Sequence, residues 1–345
     1  MKSPLLLLKK FSEAIATDQS SIKIALLLIK KKIRGTEMLS VRRKLLQIIM
    51  QLHWYLTKKI LKYRGITDPL KIISYLRKYL EHLPPFFISA NIKAIQYRNI
   101  KGYWVSTNGI RKETVILYLH GGAFIFGLLN IYKSLASRLS MESNADVFLL
   151  DYRLAPEYVF PAPLEDSLNA YQYLLDQGYR SDQIIIGGDS AGGGLAMATL
   201  IALRDRKKST PLGYVGISPW FDMALTGASL QINKNKDFVV DALEEWIQPW
   251  ITFYLYGTSP FEPLVSPLFA DISNLPPLFI QVGENEVLLD DSKRFKDKAV
   301  KAGVPITLEI WKHMPHDWHL FSWCLPEGQQ AIKNIGNYIQ HLEKK

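Results

Sequence analysis

Apolar and polar positions fall into two different rhythms on either side of residue 85. From Val41 onward the apolar residues Val41, Leu45, Ile48, Ile49, Leu52 and Leu56 recur at helical spacing, while Arg42, Arg43, Lys44, Gln47, Lys58 and Lys59 fall between them. Residues at those intervals share one side of an α-helix, so the stretch predicts an amphipathic basic helix. Such a helix either caps its own domain with a solvated lysine face or lies on an anionic membrane surface, and the pattern leaves both open. Asp68 followed by Pro69 predicts the N-cap and first turn of a second helix, which runs to about His82 and is stopped by Leu83-Pro84-Pro85.

Beyond Pro85 short β-rich runs take over. Residues 100–106 and 114–119 read as strands, and Asn108-Gly109 between them predicts a hairpin turn. Further strands are predicted at 146–150, 183–187, 214–218, 278–282 and 306–311. Most of these runs are continuously apolar, the pattern of strands buried on both faces of a largely parallel sheet. Helix-length segments at about 132–143, 163–177, 191–205, 242–256, 291–302 and 329–342 alternate with them. The chain is therefore expected to be α/β, a mostly parallel central sheet with helices on both faces, and it contains no internal repeat.

Composition removes several classes of function. Of 345 residues, 48% are hydrophobic and 21% charged, which excludes a disordered or low-complexity chain. The single cysteine, Cys324, excludes an intramolecular disulfide and a zinc site built on cysteine pairs. The net charge of +10 is unevenly spread: residues 1–65 hold fifteen Lys and Arg against three Asp and Glu, and the other 280 residues hold 27 against 29. The basic surplus thus belongs to an N-terminal extension, and no nucleic-acid partner is expected. The apolar run from Leu5 to Leu8 ends at Lys9-Lys10, too short for a secretory signal. The run from Ile24 to Ile29 falls short of the roughly 18 to 20 residues that span a bilayer. A cytoplasmic protein without a transmembrane helix is expected, with peripheral membrane contact through the basic helices left open.

Two glycine-rich turns carry the candidate chemistry. In Gln183 to Leu195 a strand, a tight turn and a helix enclose Gly188-Asp189-Ser190-Ala191-Gly192. A serine on such an elbow projects its hydroxyl clear of the sheet, and the flanking glycines leave room for the backbone to close on itself. Ser190 would then sit at a helix N-terminus, where backbone N–H groups face developing negative charge. By itself the turn is equally compatible with Ser190 as a plain N-cap; a P-loop is disfavoured because no Gly-Lys-Ser/Thr follows. The second turn, His120-Gly121-Gly122-Ala123, ends the apolar run 114–119 and could aim backbone N–H groups at a substrate oxygen.

Together, in this order and about 70 residues apart, the two motifs resemble the hormone-sensitive-lipase-like branch of the α/β-hydrolase superfamily, whose members carry His-Gly-Gly-Gly and Gly-Asp-Ser-Ala-Gly. The resemblance extends through Asp151-Tyr152-Arg153-Leu154-Ala155-Pro156-Glu157, Ser218-Pro219-Trp220, Ser266-Pro267-Leu268 and Leu275-Pro276-Pro277-Leu278, covering roughly residues 68 to 340. Ala123 replaces the usual third glycine, a change that keeps the backbone donor. The resemblance implies an α/β-hydrolase fold and a serine carboxylesterase or lipase. It implies an oxyanion hole of Gly122, Ala123 and Ala191, with Gly121 shaping the turn. It also implies a helical cap over the site, drawn from residues 1–85 and from an insertion near 235–262, on a catalytic domain of 86–345. The insertion holds Trp246, Trp250, Phe253, Tyr254 and Tyr256, which suit either an acyl pocket or simple core.

The superfamily order of serine, acid and histidine leaves His313, His316, His319 and His341 after Ser190. The family pattern Met-x-His lies over Met314-Pro315-His316 and implies His316 as the base. His313 and His319 are then bystanders, read as surface groups, and His341 is solvated. The family's Asp-Pro-Leu-x-Asp lies over Glu286-Val287-Leu288-Leu289-Asp290, which implies Glu286 as the acid. Glutamate in place of aspartate is a departure, so Asp290 stands as the alternative. The expected activity is hydrolysis of carboxylic esters through an acyl-enzyme, with no metal or organic cofactor and a small-molecule ester as partner. Short or medium acyl esters, lactones, amides and membrane lipids all suit this scaffold, as does a non-catalytic ligand-binding receptor, and the oligomeric state is open.

Overall fold

Strands buried on both faces need apolar layers above and below, and the central strands here have both. The computed structural model describes residues 36–81, 88–107, 112–240 and 244–344. Within them β1 (Asn91–Tyr97), β2 (Ile100–Ser106), β3 (Val115–Leu119), β4 (Asp146–Leu150), β5 (Ile184–Asp189), β6 (Gly213–Ile217), β7 (Leu278–Gly283) and β8 (Ile306–Trp311) form one sheet. Their order is β1-β2-β4-β3-β5-β6-β7-β8. Strands β3 to β8 run parallel, and β2 is antiparallel to both β1 and β4. The architecture is the expected mostly parallel α/β-hydrolase sheet.

One expected pairing is absent. β2 does not form a hairpin with β3, because β4 lies between them. Its hairpin partner is β1, reached across Arg98-Asn99, with Arg98 at φ 53°. β3 is already bonded to β4 and β5 on its two edges and has no edge left for β2. Asn108 and Gly109 lie outside the described residues.

The helices are α1 (Thr36–Tyr63), α2 (Pro69–Leu80), α3 (Leu129–Ser143), α4 (Ala162–Asp176), α5 (Ser190–Asp205), the single turn α6 (Ser229–Ile232), α7 (Glu244–Leu255), α8 (Leu289–Lys301) and α9 (Pro326–Leu342). Side chains alternate along each strand, so Ile116 and Tyr118 of β3 meet α3 and α9 through Leu135, Leu139, Ile332 and Ile335. Leu117 and Leu119 face the opposite layer, which includes Leu164 and Leu174 of α4, Leu195 of α5 and Phe295 of α8.

The N-terminal helices feed that second layer. Asp68 caps α2 by accepting from the Lys71 N–H at 2.9 Å, with Pro69 in the first turn. Leu61, Ile72, Ile73 and Leu76 join the same apolar cluster as β3 and α5. Arg77 then ties α2 to the body. Its Nε donates to Ile125 O at 2.7 Å, its Nη1 to both oxygens of Glu157 at 2.8 Å, and its Nη2 to Ala155 O. The expected boundary at residue 85, with its stop at Pro84-Pro85, falls outside the described residues.

Of the stripe expected on α1, Ile48 faces solvent and Leu56 is half-buried. Leu46, Ile60 and Leu61 face the core, whereas Ile48 is 59% exposed; the side chains of Val41, Leu45, Ile49 and Leu52 lie outside the description. The doubled apolar pairs Leu45-Leu46 and Ile48-Ile49 put apolar residues on more than one side of the helix, and only one side meets the body. Lys44, Ile48, Tyr55, Lys59 and Lys62 share an exposed face. No helix among the described residues is long and apolar enough to cross a membrane. Leu61→Ala is expected to cost about 2–4 kcal/mol in urea unfolding, because it empties a packed site. Ile48→Ala on the same helix should change stability by less than about 0.5 kcal/mol.

Candidate active site

In a parallel sheet the loops that leave the carboxyl ends of the strands gather at one edge, and this is where the sequence motifs converge. β5 ends at Asp189 and α5 begins at Ser190, whose φ of 50° is a left-handed conformation uncommon for a residue other than glycine. The turn closes because its glycines carry no side chain. A Cβ at Gly188 or at Gly192 would collide with Leu119 O, and one at Gly192 also with His120 O. The Ala191 N–H lies in the first turn of α5, where no helical carbonyl precedes it to accept.

The turn after β3 is shaped by equally close approach. Gly122 adopts φ 106°, Ala123 55° and Phe124 60°. The Gly122 carbonyl accepts from the N–H groups of Ile125 and Phe126, both at 2.9 Å. Among the described residues the N–H groups of Gly122 and Ala123 have no hydrogen-bond partner. Asp189 fastens this turn to the elbow. Its Oδ1 accepts from the Gly121 N–H at 3.1 Å and Tyr118 OH at 2.8 Å, and its Oδ2 from Tyr132 OH at 2.6 Å. A Cβ on Gly121 would collide with Asp189 Oδ2. His120 is fully buried, stacked on Tyr152 at 4.2 Å, and burial lowers its pKa to about 4, so the ring is neutral. From the other side α7 packs on the turn: Tyr254 stacks on Phe124 at 3.8 Å and Trp250 meets Phe126 edge-on at 5.1 Å. Of the aromatics weighed for an acyl pocket, these two are therefore core, Tyr256 is solvent-exposed, and the Trp246 side chain lies outside the description.

Ser190, His316 and Glu286 form one hydrogen-bonded row. Ser190 Oγ lies 2.9 Å from His316 Nε2, and His316 Nδ1 lies 3.1 Å from Glu286 Oε2. All three are buried, Glu286 completely. An ionised carboxylate can only accept, so Nδ1 carries a proton. Glu286 Oε1 accepts from Ser218 Oγ and from the Gly283 N–H, each at 2.6 Å. Burial raises its pKa to about 7 against the opposing pull of these donors and of His316. For His316 burial acts downward, but Asp317 and then Glu286 outweigh it and hold the imidazole well above its ordinary range.

Asp290, the alternative acid, is elsewhere: its Oδ2 accepts from the Ser229 N–H at 2.8 Å. His313 is exposed and pairs with Glu284 at 3.4 Å, and His341 is exposed in α9. His319, expected at the surface, is fully buried with its Nε2 2.8 Å from Gln281 Oε1, and burial lowers its pKa to about 3.

Several residues of the site carried no expectation. Asp237 is fully buried and accepts the His316 N–H on Oδ1 and the Val287 N–H on Oδ2, both at 3.1 Å. Asn233 donates to the carbonyls of Glu284 and Glu286 at 3.0 and 2.8 Å. These two side chains staple the base and the acid loop to one segment. Asp317 places Oδ2 3.1 Å from His316 Nε2. Asp189 and Ser218 were visible as motif letters, but nothing local in the sequence marks Tyr118, Tyr132 or Asp237. Among the described residues no group of three or more His, Cys, Asp and Glu is arranged to hold a metal.

The chain matches, over residues 116–320, the family described as the alpha/beta hydrolase fold. It is 34% identical over 298 residues to a protein named "Esterase" from Acinetobacter venetianus, covering 84% of this chain and 97% of that protein. It is 43% identical over 225 residues to an "Acetyl-hydrolase" from Streptomyces hygroscopicus, covering 65% and 75%. Among solved structures it is similar to an esterase from the bacterial hormone-sensitive lipase family, at 38% identity and a TM-score of 0.74 over 84% of this chain and 97% of the other.

Asp237→Asn should leave at least one of the three backbone N–H groups it accepts from, those of His316, Val287 and Val239, facing an amide NH2, and is expected to cost about 1–3 kcal/mol in urea unfolding. Asp290→Asn keeps an acceptor for its single N–H donor and should cost less than about 0.5 kcal/mol.

Proposed function

The chain belongs to the hormone-sensitive-lipase-like branch of the α/β-hydrolase fold family, and on that footing we propose that Ser190, His316 and Glu286 are the nucleophile, base and acid with which it hydrolyses carboxylic esters. The observation that carries this assignment is the hydrogen-bonded row from Ser190 Oγ through the imidazole to Glu286. As Ser190 Oγ attacks the ester carbonyl carbon, its proton passes to His316 Nε2 and the carbonyl electron pair moves onto oxygen. The N–H groups of Gly122, Ala123 and Ala191 receive that oxyanion, on a turn preorganised by Gly121 and Asp189, so little reorganisation accompanies the charge. The C–O bond then breaks and the alkoxide takes the Nε2 proton. Water gives its proton to the same nitrogen and attacks the acyl carbon; the bond from that carbon to Ser190 Oγ breaks, the acid leaves and Nε2 returns its proton to Oγ. Glu286 fixes the ring so that Nε2 faces Oγ, and stabilises the imidazolium.

Short acyl esters are the favoured substrates, a reading supported by the name of the acetyl-hydrolase relative. With p-nitrophenyl esters from acetate to palmitate, kcat/KM is expected to be highest at the short end. Ser190→Ala should lower kcat by about 10⁴-fold or more, and Glu286→Gln by about 10²- to 10⁴-fold. Asp290→Asn should stay within about threefold of wild type. If Asp290→Asn were crippled while Glu286→Gln turned over normally, the acid would be misassigned. A folded wild type without turnover on any ester would favour the receptor reading.

The exposed face of α1 favours peripheral contact with anionic membrane. Lys44, Lys59 and Lys62 lie along it beside Ile48 and Tyr55, and among residues 36–63 the only acid is Glu37. Cations near an anionic surface and apolar side chains in its interface reinforce each other. The protein should co-sediment with phosphatidylserine vesicles at low salt and not with phosphatidylcholine vesicles. Replacing the three lysines together by glutamate should abolish binding. Binding that ignores both salt and the triple substitution would remove this reading.

A further inference from the structure

His316 is flanked by a second carboxylate that the esterase mechanism does not need. Asp317 Oδ2 lies 3.1 Å from Nε2, the same nitrogen that lies 2.9 Å from Ser190 Oγ. A carboxylate facing a bare nitrogen lone pair repels it, whereas one facing N–H accepts from it. Nδ1–H is already committed to Glu286, so the contact with Asp317 suits the doubly protonated ring.

We infer that Asp317 is a positioning residue of the reaction, which holds the His316 imidazole in its idle, doubly protonated form and thereby sets the pH at which the base becomes available. The inference rests on the proposed roles of Ser190 and His316.

Backbone geometry holds Asp317 in place. Its φ is 50°, in the left-handed region that aspartate tolerates better than most residues. Its N–H donates to Ser218 Oγ at 3.2 Å, the hydroxyl that also donates to Glu286, and its carbonyl accepts from the Leu320 N–H at 3.0 Å. The carboxylate is 9% exposed, and among the described residues its Oδ1 has no hydrogen-bond partner. The contact with Nε2 is thus the one polar contact its carboxylate makes among these residues.

The groups facing this pair come from every neighbouring element. Glu286 comes from the loop after β7, Asp237 from the segment before α7, Asp189 and Ser190 from the elbow, Tyr118 from β3, Tyr132 from α3, and His319 from the turn after Asp317. His319 is neutral, because burial lowers its pKa to about 3. Asp237 and Asp189 are both raised by burial, and each is held by donors. Of the carboxylates that raise the His316 imidazole, Asp317 acts most strongly. Of these carboxyl groups Asp317 is the one that faces Nε2.

Two opposed effects on the reaction follow. Below the raised pKa the ring keeps its Nε2 proton and cannot take the one on Ser190 Oγ. Above it Nε2 is free, and Asp317 stabilises the imidazolium that forms as the serine proton arrives, which makes the base stronger. The covalent steps are unchanged, and no proton is transferred to Asp317.

The test is the pH dependence of kcat/KM for p-nitrophenyl acetate in wild type, Asp317→Asn and Asp317→Gly; glycine suits the positive φ and serves as a second variant. The expected wild-type acid limb has its midpoint above the ordinary imidazole range of about 6.5. Both variants should move it at least about one unit toward lower pH, gain rate relative to wild type near pH 6, and lose severalfold on the alkaline plateau with KM nearly unchanged. A role confined to folding would lower the plateau without moving the midpoint. A wild-type midpoint at or below about 6.5, or midpoints in the variants within about 0.3 unit of wild type, would overturn the inference. Labelling with a fluorophosphonate separates the premise: a probe that spares Ser190 removes the assigned nucleophile, whereas normal labelling with unmoved midpoints removes only Asp317.

Discussion

The hydrogen bond between His316 Nδ1 and Glu286 Oε2 joins two side chains that water scarcely reaches, and most of the surrounding loops serve to make that pairing tolerable. A buried carboxylate without donors would shed its charge. Here Ser218 Oγ and the Gly283 N–H occupy Oε1, which leaves Oε2 for the imidazole. The loop must also stand still. Glu284 N–H donates to Trp311 O, and Asn285 N–H to Met314 O, so the acid's loop is laced to the one that carries the histidine. Asn233 and Asp237 then clamp both to a third segment.

The same logic operates on the electrophilic side with backbone instead of side chains. Gly188 and Gly192 let the elbow press against the carbonyls that end β3, and Gly121 lets the neighbouring turn press against Asp189. One carboxylate next to the serine thus sets the distance between two loops, since Asp189 accepts from the Gly121 N–H while two tyrosine hydroxyls hold it. α7 reinforces the turn from outside through Phe124 and Tyr254, and α2 through Arg77 and Ile125. Elements distant in sequence converge on a stretch of about six residues, and that stretch carries two of the three proposed oxyanion donors, Gly122 and Ala123.

Much of this was legible because it is written in local periodicity. Continuous apolar runs gave the parallel strands, Asp68-Pro69 gave the start of α2, and Gly-x-Ser-x-Gly between a strand and a helix gave the elbow. β1 escaped notice because Asn91, Lys93 and Gln96 leave an edge strand with little apolar signal, and without it β2 was assigned the wrong hairpin partner. On α1 the expected Ile48 lies at the surface, because that helix holds more apolar residues than one face can use. Asp237 and the tyrosine hydroxyls on Asp189 were beyond local reading, since their meaning lies in contacts 50 to 79 residues away. A buried aspartate at a site looks, in sequence, like any loop aspartate.

The glutamate at position 286 is held by the two ends of its own loop. Its extra methylene, compared with the aspartate of the family pattern, moves the carboxyl further from its own backbone. Beside it stands Gly283, where a Cβ would collide with Met314 O; the absence of one lets the strand end close against the histidine loop. The Gly283 N–H in turn donates to Glu286 Oε1, so the residue that permits the approach also orients the acid. Asp290, four residues on, lies in the first turn of α8 and is occupied by Ser229, whose hydroxyl donates to Val287 O. The longer acid and the aspartate after it therefore act on opposite ends of one loop, one holding the imidazole and the other holding the loop that presents it.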